Sequence, residues 1–350
     1  MESAARFIVK HRKAVLILAV LLLIPSFFGL VGTAINYDIL TYLPPELDSM
    51  IGEKYLEDDF KTASTAMITI ENMPTSQILE LKQELESIEG VDQVMWTSDM
   101  ADVSIPREML PEDIQKFFYN DSGATMMLVK FTDTSASAST MKALSQMKNV
   151  VQNRCFIGGI AAIMEDTKAL VNQEMPWYIL CAVGFSLLIL FLGLKNTVVP
   201  LIFMVGMIFP IAYNFGTNIF LGQISYITQA LATVLQLGVT MDFSIFLLHR
   251  YEEEKAFLPN DQAMVKAIQN TFTSITASSL TTIAGFLAMC TMTLTLGRDI
   301  GIVMAKGVFL GVLCTITILP ALIMTFDKAI ERHTHRTLIP KLDVYKRQIL

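Results

Sequence analysis

Charge is what this sequence has least of. Asp, Glu, Lys and Arg make up 17% of its 350 residues, against ~25% in an ordinary soluble domain. Hydrophobic residues make up 53%. That balance excludes a water-soluble globule of this length and calls for several membrane spans. Cysteine is scarce too. There are four, with no CxxC pair and no Cys/His ligand spacing, so neither a disulfide framework nor a metal site is expected. A net charge of −7 argues against a nucleic-acid partner. No nucleophile stands beside a base, so catalysis has nothing to rest on and no cofactor is implied. The acid is concentrated in one block, Glu46 to Glu174, which marks a separate water-exposed domain.

What is present is a run of apolar segments. Basic residues (Arg6, Lys10, Arg12, Lys13) lead straight into Ala14–Val31, which is longer than a signal-peptide core and lacks a small-x-small cleavage site. It reads as an uncleaved first span with its N-terminus in the cytosol, kinked at Pro25. Five more segments follow: Trp177–Leu194, Val198–Phe215, Ile224–Leu248, Ile275–Leu296 and Ile300–Phe326. With the N-terminus inside, the cytosolic joints carry Lys195, then Arg250, Lys255 and Lys266, then Lys328, Arg332 and Arg336. The short external joints offer Arg298 alone. That asymmetry agrees with the positive-inside rule. The expected topology is six helices in the plasma membrane with both termini cytosolic.

Residues 32–176 make the external domain. Ser64–Ile70, Val91–Thr97, Ala124–Phe131 and Arg154–Ile157 read as strands. Helices fit Pro74–Gly90, on the spacing of Ile78, Leu81 and Leu85, and Ser137–Val150. Strand–helix–strand twice over suggests a ferredoxin-like βαββαβ layer. Residues 105–120 insert between its halves, with a short helix after Pro111. Gly158-Gly159, lacking a following Lys-Ser/Thr, is a turn rather than a phosphate loop. No aromatic cluster or charged cleft stands out here. Between the fourth and fifth spans, residues 260–272 read as a cytosolic amphipathic helix, lying on the membrane surface or packed against the bundle.

Two charges fall inside spans. Asp242 lies seven residues from His249 and Arg250, about 10 Å into a hydrocarbon core of about 30 Å. A carboxylate there costs ~2.5–3.5 kcal/mol on insertion scales, so it is read as functional and bundle-facing rather than as a hydrated interfacial group. Lys306 is the second charge. An Asp242–Lys306 couple could work as a proton-coupled switch, or as a structural ion pair. The fifth span carries Ser274, Ser278, Thr281 and Thr282 on one face, either a polar wall beside a proton path or a small-residue packing surface. Asn214, Asn218, Gln229 and Gln236 leave the same alternatives open. His333 and His335 belong to a solvated tail.

One span, a large external domain, then five spans with an acid in the fourth resembles the half-unit of the RND transporter superfamily. Gly238-Val-Thr-Met-Asp242-Phe243-Ser-Ile-Phe246-Leu-Leu-His-Arg250-Tyr-Glu252-Glu253 is similar to the fourth helix of its MmpL branch. Phe156-Ile157-Gly158-Gly159, Gly297-Arg298-Asp299-Ile-Gly301 and Leu319-Pro320-Ala321-Leu322 also resemble that family. The resemblance implies proton-driven export of lipids or other hydrophobic or amphipathic substrates, with Asp242 carrying the proton. A SecDF-like aid to protein export and a non-transporting membrane sensor or scaffold are the rival readings. Two departures stand out. Phe243 replaces the family's tyrosine, and the family has twelve spans in two similar halves where this chain has six. A missing second half, or a second copy, is therefore the expected partner. The last ten residues, Lys341 to Leu350, look like a truncation scar.

Overall fold

The computed structural model describes residues 2–59, 64–102, 105–152, 154–194 and 196–332. Lys195, His333, His335 and the rest of the tail lie outside them. In chain order the elements are α1 (Glu2–Lys10), α2 (Arg12–Gly32), β1 (Ala34–Asn36), α3 (Asp48–Asp58), β2 (Thr65–Ile70), α4 (Thr75–Glu86), β3 (Val91–Met95), α5 (Glu112–Phe118), β4 (Thr125–Phe131), α6 (Ala138–Val151), β5 (Cys155–Gly158), α7 (Ile160–Gly193), α8 (Val198–Gly216), β6 (Gln223–Ser225), α9 (Tyr226–Lys255), α10 (Asn260–Ala288) and α11 (Thr295–Arg332). They form two compact units, residues 37–173 and residues 1–36 with 174–350.

The first unit is a four-stranded antiparallel sheet in the order β3-β4-β2-β5. Strict alternation fixes its inner face: Thr125, Met127, Val129 and Phe131 of β4 are buried and the residues between them are not, as a period of two requires. Ile78, Leu81 and Leu85 of α4 and Ala143, Leu144 and Met147 of α6 join that core. Ser137 caps α6 by accepting from the Thr140 N–H at 3.1 Å, a bond that satisfies one of the orphan donors of the first turn. Gly159, with φ of +110°, turns the chain from β5 into α7. An added Cβ there would lie 3.1 Å from the Thr65 carbonyl oxygen, so the glycine pair is a turn. Leu85 is fully buried. Leu85→Ala should therefore cost about 2–5 kcal/mol, read as a fall in the thermal midpoint of this unit, with the helices of the other unit retained by circular dichroism.

The second unit holds six helices long and apolar enough to cross a membrane: α2, α7, α8 with its 3-10 extension to Leu221, α9, α10 with its extension to Thr291, and α11. Burial ranks them. The most apolar window of α11 is 72% buried and that of α8 is 61%, against 6–11% for α2, α7 and α10. Glycines explain the central place of α11. Added Cβ atoms at Gly301, Gly307 and Gly311 would meet Cys290 Sγ at 3.0 Å, Asn214 Nδ2 at 2.7 Å and Thr240 Oγ1 at 2.9 Å. Small residues let membrane helices approach this closely.

Several boundaries differ from the sequence expectation. The second span is longer than Trp177–Leu194: its helix, α7, starts at Ile160 and continues through Pro176. Gly297-Arg298-Asp299 is not a joint, because α11 starts at Thr295 and takes those residues into its first turns. Asp299 accepts from the Ser225 N–H at 2.8 Å and from the Thr228 hydroxyl at 2.5 Å. An acid near a helix start is favourable, and this one also ties α11 to the start of α9. Residues 260–272 are not a separate surface helix either. They are the first turns of α10, with Ala263, Met264, Ala267 and Ile268 in the same buried core as Ala5 and Val9 of α1. The short helix α1, which the basic leader hid, occupies the apolar face that would otherwise seek lipid.

Candidate functional site

Asp242 lies near the middle of the 30-residue helix α9. It lines an open-sided cavity of about 380 Å³ together with Val239, Phe243 and Phe246 of α9 and Ser274, Ser278 and Thr282 of α10. The site follows from register. Thr240, Phe243, Ser244 and Leu247 are buried on the inner face of α9, while Gly238, Asp242 and Phe246 are exposed on the opposite one. Among the described residues no hydrogen bond or ion pair reaches the Asp242 carboxylate. The sequence expectation of a carboxylate facing into the bundle is corrected here: it faces out of these six helices, over α10. Three of the four expected hydroxyls join it. Thr281 does not line the cavity and instead donates to the Ala277 carbonyl at 3.2 Å.

Lys306 does not meet Asp242. Its ammonium donates to the Asn214 carbonyl at 3.1 Å and to Asn218 Oδ1 at 2.5 Å. Asn214 Nδ2 donates to Gln236 Oε1 at 2.9 Å, and Gln236 Nε2 donates to the Gly307 carbonyl at 3.3 Å. This network joins α8, α9 and α11 and takes up three of the four amides noted in the sequence. Register explains the separation. Gln236 touches Gly307 and Thr240 touches Gly311, so Lys306 lies level with residue 235, about 10 Å along the axis from Asp242 at 1.5 Å per residue. Asn214 sits in the last turn of α8, where free carbonyls favour a cation. The lysine therefore meets neutral oxygens and a helix end in place of a carboxylate.

At the other end of the same helices Asp327 gathers a second network that sequence reasoning missed. Its carboxylate accepts from the Tyr251 hydroxyl at 3.2 Å, from the Lys255 ammonium at 3.1 Å and from the Asn260 amide. Lys255 also meets Glu331 at 2.9 Å. This network fastens α9, α10 and α11 where they leave the apolar core. Its signal was the sequence pair Tyr251 and Lys255, one helical turn apart.

Two more cavities lie among the described residues. One, of about 520 Å³, is almost wholly apolar and lies among α2, α7, α8 and α9, between Leu30, Met175, Met204, Met207 and Phe215. The other is in the sheet unit and overturns the expectation that this domain has no aromatic or charged cleft. Trp96, Tyr119 and Arg107 line it with Thr97 and Asp102.

Among the described residues, six helices long and apolar enough to span, a folded insertion between the first and second, and a carboxylate in the fourth define a multi-pass membrane protein. The family model that matches is the MMPL family, over residues 41–343; the chain belongs to that family. A membrane protein of Methanocaldococcus jannaschii, MJ1562, is 22% identical over 370 residues, covering 94% of this chain and 95% of that protein. A Streptomyces coelicolor membrane protein, SCO0839, is 28% identical over 149 residues, covering 41% of this chain and 21% of its own length. Among solved structures, SecDF of Thermus thermophilus, a translocon-associated membrane protein, matches with a TM-score of 0.49 at 18% identity. The match covers 93% of this chain and 38% of that one.

Proposed function

We propose that this chain is the half-unit of a proton-driven exporter of lipids or other hydrophobic or amphipathic compounds. The sheet unit is then a ferredoxin-like domain outside the plasma membrane, and both termini lie in the cytosol. Asp242 is the proton carrier. The observation that carries the reading is a carboxylate midway along a spanning helix that no described residue bonds, opening onto a cavity with Ser274, Ser278 and Thr282. Intramembrane carboxylates in such settings serve proton and ion pathways. The three hydroxyls supply donors and acceptors through which a proton reaches it. The nearly all-apolar cavity among α2, α7, α8 and α9 supports an acyl or similarly apolar cargo. Protonation biases the equilibrium between conformations, and the Lys306–Asn218 network holds α8 and α11 in register as it shifts.

A charge on the open face of α9 does not face lipid, so a second six-helix unit covers it, either another half or a second copy of this chain. Gly238 lies one turn before Asp242 on that face, with nothing within 4 Å of an added Cβ. Gly238→Leu tests whether the face is covered. In the covered assembly it abolishes transport and the larger species on a sizing column, yet leaves the thermal midpoint of the six-helix unit within a degree or two. If transport and assembly persist in that variant, no helix covers the face, and the reading of Asp242 as a buried relay fails with it.

A further inference from the structure

The cavity in the sheet unit is about 300 Å³, at the lower end of small-molecule sites. Arg107 dominates it. The guanidinium lies 4.9 Å above the Tyr119 ring and donates one hydrogen bond, at 2.7 Å, to the Asn120 carbonyl. Its remaining N–H groups form a planar fork of the kind that matches an oxyanion. Lys82, Lys116, Lys130, Lys142 and Lys148 of the same unit each have a carboxylate partner; among the described residues Arg107 has none, nor have Lys54, Arg154 and Lys168, but of these four only Arg107 lines the cavity.

The other walls add donors. Thr97 and Tyr119 share one hydrogen bond between their hydroxyls at 3.3 Å, so one of the two O–H groups is left to donate elsewhere. Thr75, at the first position of α4, also lines the cavity. That helix begins after Pro74 with no side-chain cap and no acid in its first turn, so its leading N–H groups add positive potential. Asp102 lines the same cavity, and its charge favours a ligand with one negative charge over a ligand with two.

We infer that this cavity binds a singly charged oxyanion, a phosphodiester, held between the Arg107 fork and the Thr97–Tyr119 hydroxyl pair. The ester arrives either as a free small molecule or as the headgroup of a lipid. This assignment goes beyond the proton-driven cycle, and its readout does not involve transport, so either can fail alone.

The test uses the full chain in detergent carrying Trp177→Phe, which leaves Trp96 as the sole tryptophan of the two in the chain. Trp96 lines the cavity and is 2% exposed, so its fluorescence reports occupancy. Dimethyl phosphate is titrated in one series and dihexanoyl phosphatidylglycerol in the other. A saturable change with dimethyl phosphate supports a site for the free ester, and one with the lipid alone assigns the headgroup as the source. Arg107→Gln should weaken binding by about tenfold or more, the worth of a charge-assisted pair. Arg107→Lys, which keeps the charge and loses the fork, should fall between the two and controls for folding. No saturable change with either probe, or a response that Arg107→Gln leaves intact, overturns the site.

Discussion

Asp242→Asn should reduce substrate export driven by a pH gradient at least a hundredfold, to the background of vesicles without protein, while the chain still folds and inserts. The substitution keeps the side chain's size and its capacity to hydrogen-bond, and removes the ability to exchange a proton at working pH. A structural role would show a different pattern. No described residue bonds to the carboxylate, so the asparagine breaks no contact within the six helices, and the thermal midpoint should stay within a degree or two of the parent. Asp242→Glu restores a titratable group and should recover part of the activity. If Asp242→Asn exports at the parent rate, the carboxylate has no part in coupling, whatever its position.

The largest effect on stability should come from Gly216. Helices α2 and α8 meet backbone to backbone there. A Cβ on Gly216 would overlap Ser26, and one on Gly29 would overlap the Gly216 carbonyl. Close by, the Tyr213 hydroxyl donates to the Ala19 carbonyl at 2.7 Å, and Thr33 donates to the Gly29 carbonyl at 2.7 Å. Gly216→Val cannot be absorbed by a side-chain rotation, because the obstructing atoms are main chain. Overpacking usually costs about 1–3 kcal/mol, and rigid neighbours put this site at about 3 kcal/mol or more. The expected readout is a clear fall in thermal midpoint in detergent and loss of the membrane-inserted form in cells. Gly184→Val is the control, since an added Cβ there meets nothing within 4 Å. Equal behaviour of the two variants would mean that α2 and α8 do not cross at these glycines.

Much of this was legible because it rests on local periodicity. The alternation of Thr125, Met127, Val129 and Phe131, and the three-to-four spacing of Ile78, Leu81 and Leu85, are patterns that burial imposes within a few residues. Long apolar runs mark the spans for the same reason. What was not legible depends on partners distant in sequence. The pairing of Ala34–Asn36 with Gln223–Ser225 joins two short segments with no strand signal of their own. Whether the first turns of α10 lie on the membrane or pack against the bundle was left open, because nothing nearby in sequence shows that α1 covers them. Gly297-Arg298-Asp299 suggested a joint, whereas Gly297 is a place where α11 passes close to Met289 and Met292.

The site divides in the same way. That Asp242 stood out was readable from its cost in a membrane, and the hydroxyls of α10 from their density on one face. Which way Asp242 faces was not, since depth arithmetic fixes height along the membrane normal and leaves the direction around the helix free. Lys306 shows the consequence. Two charges inside the spans suggested a couple with Asp242, whereas the register of α9 against α11, set by Gln236 on Gly307, turns Lys306 to Asn214 and Asn218.

The most direct test of the central claim is the coupling itself, measured in vesicles holding the purified chain together with whatever unit covers α9. A pH gradient is imposed, and its collapse is followed with an internal dye as a fluorescent lipid is added. Proton-driven export predicts that the lipid speeds the collapse, that an ionophore which abolishes the gradient stops lipid movement, and that Asp242→Asn shows neither effect. Lipid movement at the same rate with and without the gradient, and no lipid-dependent proton flux in the parent chain, would contradict it.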